Sequence, residues 1–213
     1  MKKSLLSLAA ALLCAACLVS CGEKKTALFN GKNLDGWHFV LAPDSTVPAA
    51  EVFGVKDGVI TISGQPFGFM ITDNTYSDYA FHAEWRWIGE PTNSGLFFHA
   101  KDETNLWPYC TEVNLKAGTA GDMISSGGSA FEELKEQGGR FKTSPVKESV
   151  EKPAGEWNVA DVVVDGGHIT ATINGVLKNE AHMIDRTEGH IAIQSEGGPL
   201  ELRNVYITPL KKK

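Results

Sequence analysis

Between Ala80 and Ile88 the chain alternates without interruption, with Phe81, Ala83, Trp85 and Trp87 on one parity and His82, Glu84 and Arg86 on the other. A period of two marks an extended strand with one buried and one polar face, and no helix would keep those apolar residues together. From Thr26 onward the same short segments recur between turn residues: Val59 to Ile62 after Asp57-Gly58, then Gly95 to Ala100 and Tyr109 to Lys116. Further on come Val159 to Val164, His168 to Ile173 after Asp165-Gly166-Gly167, and Val176 to Lys178 after Asn174-Gly175. The last pair is His190 to Glu196 and Leu200 to Leu210, where Arg203-Asn204 breaks the alternation and predicts a bulge. Strands at this spacing leave no room for crossover helices, so the expected class is all-β, two packed antiparallel sheets. One long departure, Ala117 to Lys152, is rich in Gly, Ser, Lys and Glu and predicts a loop with one short helical turn at Phe131 to Gln137.

The N-terminus carries a different signal. Met1-Lys2-Lys3, an apolar run to Val19, and Leu18-Val19-Ser20-Cys21 resemble a bacterial lipoprotein signal cleaved before a lipidated Cys21. The run from Leu5 to Val19 is shorter than the roughly 20 residues that span a bilayer, which disfavours a transmembrane anchor. The resulting division is a signal at 1–20, a lipidated tether at 21–27 and a domain at 28–210. Gly22-Glu23-Lys24-Lys25 has no Asp after the cysteine, so the expected location is the cell envelope, at the outer membrane, with the leaflet open.

Of the four cysteines, Cys14 and Cys17 leave with the signal and Cys21 carries lipid, so Cys110 stands alone in the body. That excludes an internal disulfide and zinc sites of the CxxC kind. Net charge is −6, and about −8 without Lys2 and Lys3, which argues against nucleic acid because phosphate binding needs a basic patch. No GxSxG elbow, P-loop, HExxH or HxH spacing occurs, so neither a metal nor a cofactor is expected. Oligomeric state stays open.

Four stretches, in order, carry a family resemblance: Leu28 to Trp37 (LFNGKNLDGW), Asn93 to Phe97 (NSGLF), Gly155 to Asn158 (GEWN), and Gly189 to Gln194 (GHIAIQ) leading to Leu202-Arg203-Asn204-Val205. Together they resemble the 3-keto-disaccharide hydrolase domain family. The resemblance implies a concanavalin-like jelly roll with a sugar site on its concave face. It also implies cleavage of glycosides whose C3 hydroxyl has been oxidised to a ketone. A C3 ketone acidifies the hydrogen on C2, so a base can remove it and expel the group at C1 without forming an oxocarbenium ion. Such a site needs a base, a group that stabilises the enolate oxygen, and an acid for the leaving group. The alternative on the same fold is a lectin-like carbohydrate-binding module that performs no catalysis.

Glu112, Asn114 and Lys116 share one face of the Tyr109 to Lys116 segment. Glu112 is either an acid or base, or part of a solvated strand face. Relatives carry Glu-x-Gln here, so Asn114 keeps an amide with shorter reach. His99, where relatives carry Arg, is a candidate base, acid or ligand, or a structural histidine. Gln194 and Glu196 share a face with His190, and Glu196 is either a second carboxylate or rim charge; relatives follow the Gln with Asp-His, where this chain has Ser195-Glu196. Trp107, in a polar loop, is a candidate sugar-stacking ring or a core residue. His82, Glu84 and Arg86 either line the same concave surface or form a solvated stripe. Trp85 and Trp87 are assigned to the core, and Trp157 to packing beneath a strand start.

Overall fold

A computed structural model describes residues 24–101, 105–136, 138–183 and 187–211. The signal segment and Cys21 lie outside the described residues. Fifteen strands are described: β1 (Thr26–Ala27), β2 (Trp37–Leu41), β3 (Phe53–Lys56), β4 (Val59–Ile62), β5 (Gly68–Thr72), β6 (Tyr79–Trp87), β7 (Gly95–Ala100) and β8 (Cys110–Asn114) come first. They are followed by β9 (Met123–Ser126), β10 (Phe141–Lys142), β11 (Asn158–Asp165), β12 (His168–Ile173), β13 (Val176–His182), β14 (His190–Ser195) and β15 (Leu200–Pro209). One sheet runs β13-β12-β11-β6-β15-β4-β3 with β1 on β15, and the other runs β10-β9-β8-β7-β14-β5-β2. All their pairings are antiparallel. This is a two-sheet jelly-roll sandwich, the class the alternation predicts.

The core forms where the two apolar parities meet. Phe81, Ala83, Trp85 and Trp87 of β6 face Leu96 and Phe98 of β7, Val113 of β8 and Ile191 and Ile193 of β14 across the sandwich. Burying each large side chain is worth about 1.5–3 kcal/mol, which lets the domain stand without disulfides. Turn chemistry sets the hairpin registers: Asp57-Gly58 and Asn174-Gly175 both take positive φ, the geometry that keeps a two-residue turn in step with strand twist. The predicted bulge is present, with a register shift between Arg203 and Tyr206 and Asn204 at φ 54°.

The segment 117–152 departs from its reading as a loop. It supplies β9 and β10, which extend the seven-stranded sheet beyond β8, and the predicted helical turn is a 3-10 turn at Glu132–Leu134. Strands this short carry too little alternation to stand out in sequence. Lys178 holds the segment down: it is buried, and its Nζ donates to the Val146 and Glu148 carbonyls at 2.8 and 2.9 Å.

Candidate functional site

The seven-stranded sheet has a second apolar cluster on its outer face: Phe69, Ile71, Phe97, Ala100, Cys110 and Ala192. Alternation puts Glu112 and Asn114 on that face with Cys110, and Gln194 and Glu196 with Ala192. Register brings them together. Glu112 stands opposite Phe97, which pairs with Ala192, and Asn114 stands opposite Gly95. Asn93 bridges to Glu196 at the end of the row.

Gly95 is what lets the carboxyl reach its neighbours. A Cβ there would come within 2.5 Å of Glu112 Oε1, so the absent side chain leaves the space in which the Glu112 carboxyl lies. Glu112 is 4% exposed. Burial pushes its pKa up to about 8, the negative charge of Glu196 adds to the rise, and Arg140 opposes it. Glu112 is therefore a neutral acid at pH 7 beside a second carboxyl group, which is half-buried. A buried carboxyl with a raised pKa beside a second carboxyl is an arrangement suited to acid/base chemistry. Gln194 Oε1 and Asn93 Oδ1 on this face are buried without a hydrogen-bond partner among the described residues, two polar atoms free for a ligand.

Other predicted residues sit elsewhere or are engaged. β8 ends at Asn114, and Lys116 lies in the exposed turn beyond it, its backbone N–H donating to Asn114 Oδ1 at 2.9 Å. The shared face of Glu112 and Asn114 therefore does not extend to Lys116. His99 does not stand beside Glu112. It takes φ 51° at a register shift between β7 and β14, which reverses the alternation so that Ala100 joins the outer cluster while His99 turns inward, its ring 6.3 Å from Tyr79. The close fit also needs Gly189, where a Cβ would meet the His99 backbone at 2.5 Å.

Trp107 is 45% exposed and packs on Phe67 at 4.9 Å between centroids, an aromatic pair at the side of this sheet where β5 begins. His82, Glu84 and Arg86 belong to the other sheet. His82 Nδ1 pairs with Asp161 at 2.7 Å, Arg203 with Glu84 at 2.7 Å and Arg86 with Glu201 at 2.6 Å. They form an ion-paired outer surface of their own. Trp157 lies half-buried among them, with the Arg86 and Arg203 guanidinium carbons 4.5 and 4.1 Å from its ring centroid, rather than packed beneath a strand.

Arg140 and Asn93 were missed by sequence reasoning. Asn93 was readable only as part of a motif, and Arg140 lies in the segment whose strands were not legible.

The same fold recurs in solved structures. A candidate glycosyl hydrolase from Parabacteroides distasonis superposes with a TM-score of 0.64 at 22% identity, covering 88% of this chain and 94% of its own. The Bacillus licheniformis beta-glucanase matches with a TM-score of 0.58 at 14% identity, covering 90% of this chain and 100% of its own. A carbohydrate-binding module, CBM66 of Bacillus subtilis, matches with a TM-score of 0.53 at 13% identity over 80% of this chain and 93% of its own. At such identities these likenesses establish the fold. No curated protein matches the chain in sequence. The family model described as a 3-keto-alpha-glucoside-1,2-lyase-like domain does match, over residues 24–208, nearly the whole described chain, so the four motifs are parts of one pattern and the protein belongs to the 3-keto-disaccharide hydrolase domain family.

Proposed function

We propose that this domain cleaves 3-keto-glycosides by elimination across C1 and C2, with the Glu112/Glu196 pair as its acid and base. The observation that carries the reading is the buried Glu112 carboxyl, held neutral at pH 7 beside a second carboxyl. Glu196 takes the proton from C2, and the electron pair forms the C1=C2 double bond, conjugated with the C3 ketone. The C1–O bond breaks, and Glu112 gives its proton to the departing oxygen. Gln194 and Asn93 line the same face, and their free Oε1 and Oδ1 can accept hydrogen bonds from sugar hydroxyls. Addition of water across the new double bond would complete a net hydrolysis.

The test is incubation of the protein with a 3-keto-glycoside while following the enone by ultraviolet absorbance and the freed sugar by chromatography. Wild type is expected to release both and Glu112→Gln neither. Equal release by the two proteins refutes the assignment. A second reading, a non-catalytic carbohydrate-binding module, draws on the exposed Trp107 ring over Phe67. Saturable sugar binding without turnover would favour it.

The same proposal places the enzyme at the cell envelope, tethered to the outer membrane through lipid on Cys21. Wild type should incorporate labelled palmitate and partition with membranes, and Cys21→Ser should do neither.

A further inference from the structure

One register row on the outer face of the seven-stranded sheet runs Phe141, Ile124, Glu112, Phe97, Ala192. Met123 belongs to the core between the sheets, so Ile124 faces outward, and Phe141 opposite it shares that face. Phe141 sits on the edge strand β10 and is 58% exposed. A bare aromatic on a sheet edge is an association hazard that folds ordinarily blunt with charge. Here the Arg140 guanidinium lies 4.9 Å from the ring centroid, steadying the ring while most of the residue remains in solvent. Arg140 is also close enough to Glu112 to act on its charge, so ring, guanidinium and carboxyl form one neighbourhood. Two strand spacings separate β10 from β8, about 10 Å, with Ile124 between them on the same face. The Glu112 carboxyl lies beyond β8 toward Gly95, so the span from Phe141 to the carboxyl is wider than one sugar ring and Ile124 forms its floor.

We propose that Phe141 is the stacking platform for the leaving-group ring of the substrate, with Arg140 holding it in place, so that the site prefers glycosides whose leaving group is itself a ring. The inference rests on the elimination reading above. It assigns the leaving group to the β10 side because Glu112, the proton donor to the departing oxygen, stands in the same row as Phe141. The C–H face of a pyranose stacks on an exposed aromatic ring as another ring would, while a methyl leaving group has no face to offer.

The test compares wild type, Phe141→Ala and Phe141→Trp as full chains on a 3-keto-disaccharide and on a methyl 3-keto-glucoside. Phe141→Ala is expected to lower kcat/KM about tenfold on the disaccharide, with the methyl glycoside unchanged and Phe141→Trp close to wild type on both. An equal loss on both substrates, or no loss on either, overturns the platform while leaving the elimination reading intact. A wild-type protein that turns over neither substrate overturns the elimination reading and the platform with it.

Discussion

Replacing Glu112 by Gln should stabilise this protein, and by an amount that grows with pH. The substitution keeps the shape of the neutral acid and removes its ability to ionise. In the folded chain Glu112 titrates near 8, against 4.5 for the ordinary glutamate. The folded state therefore holds this proton more tightly than the unfolded state does, and the carboxyl weakens the fold as pH climbs through the window from 4.5 to about 8. Below that window both states are protonated, and above it both are ionised, so the penalty levels off. At 1.36 kcal/mol per pH unit it is about 3 kcal/mol at pH 7 and about 5 kcal/mol at the plateau. Urea denaturation of wild type and Glu112→Gln at pH 4, 7 and 9 measures it, since groups common to both proteins cancel in the difference. With a urea slope of about 2 kcal/mol/M, the variant's midpoint should match wild type at pH 4 and exceed it by about 1.5 M at pH 7. A midpoint difference that is the same at pH 4 and pH 9 would refute the claim that burial holds this carboxyl neutral.

If Glu112 donates its proton in the rate-limiting step, kcat should fall as pH rises through about 8, and Glu196→Gln, by removing the second cause of the raised value, should move the alkaline limb of Glu112's own titration to lower pH. Carbon-13 NMR of the labelled Glu112 carboxyl would follow that titration even where Glu196→Gln abolishes turnover. Gly95→Ala places a methyl in the space of the Glu112 carboxyl and should cut kcat at least tenfold while costing about 1–3 kcal/mol, read by turnover and thermal melting. Asn174→Ala should destabilise by about 1–3 kcal/mol without altering kcat at a permissive temperature. Its side chain joins the Val150 carbonyl, Asn158 and the Val159 N–H across the turn, and its φ of 50° suits Asn better than Ala.

Much of the architecture was legible because burial on one face of a strand writes itself into residue parity. The β6 alternation, the two positive-φ turns at Asp57-Gly58 and Asn174-Gly175, and the bulge at Asn204 are local facts, and each is present in the structure. The family was legible for a related reason, since its motifs combine turn glycines, a buried tryptophan and strand ends that appear in order along the chain. Trp37, for instance, is buried with its Nε1 donating to the Leu28 carbonyl at 2.6 Å, closing the first motif on itself.

What parity could not convey was where the parity breaks. His99 looks like a neighbour of Glu112 until one residue in the left-handed region reverses the strand and turns its ring toward Tyr79. Lys116 looks like an extension of the β8 face until the strand ends at Asn114. Phe141 and Arg140 looked like loop, because two residues of strand are too few to show a period.

Residue order along the chain is enough to give strands with one apolar face, their closure into a sandwich, and the family motifs they carry. The placing of Glu112 beside Glu196 and Arg140, above the gap left by Gly95, arises from the folded sheets instead. Strand parity is a one-dimensional property, set by which side of a residue meets the core. The ionisation of a carboxyl depends instead on how far water is excluded and on charges brought near from distant segments, which exist only once the sheets have closed.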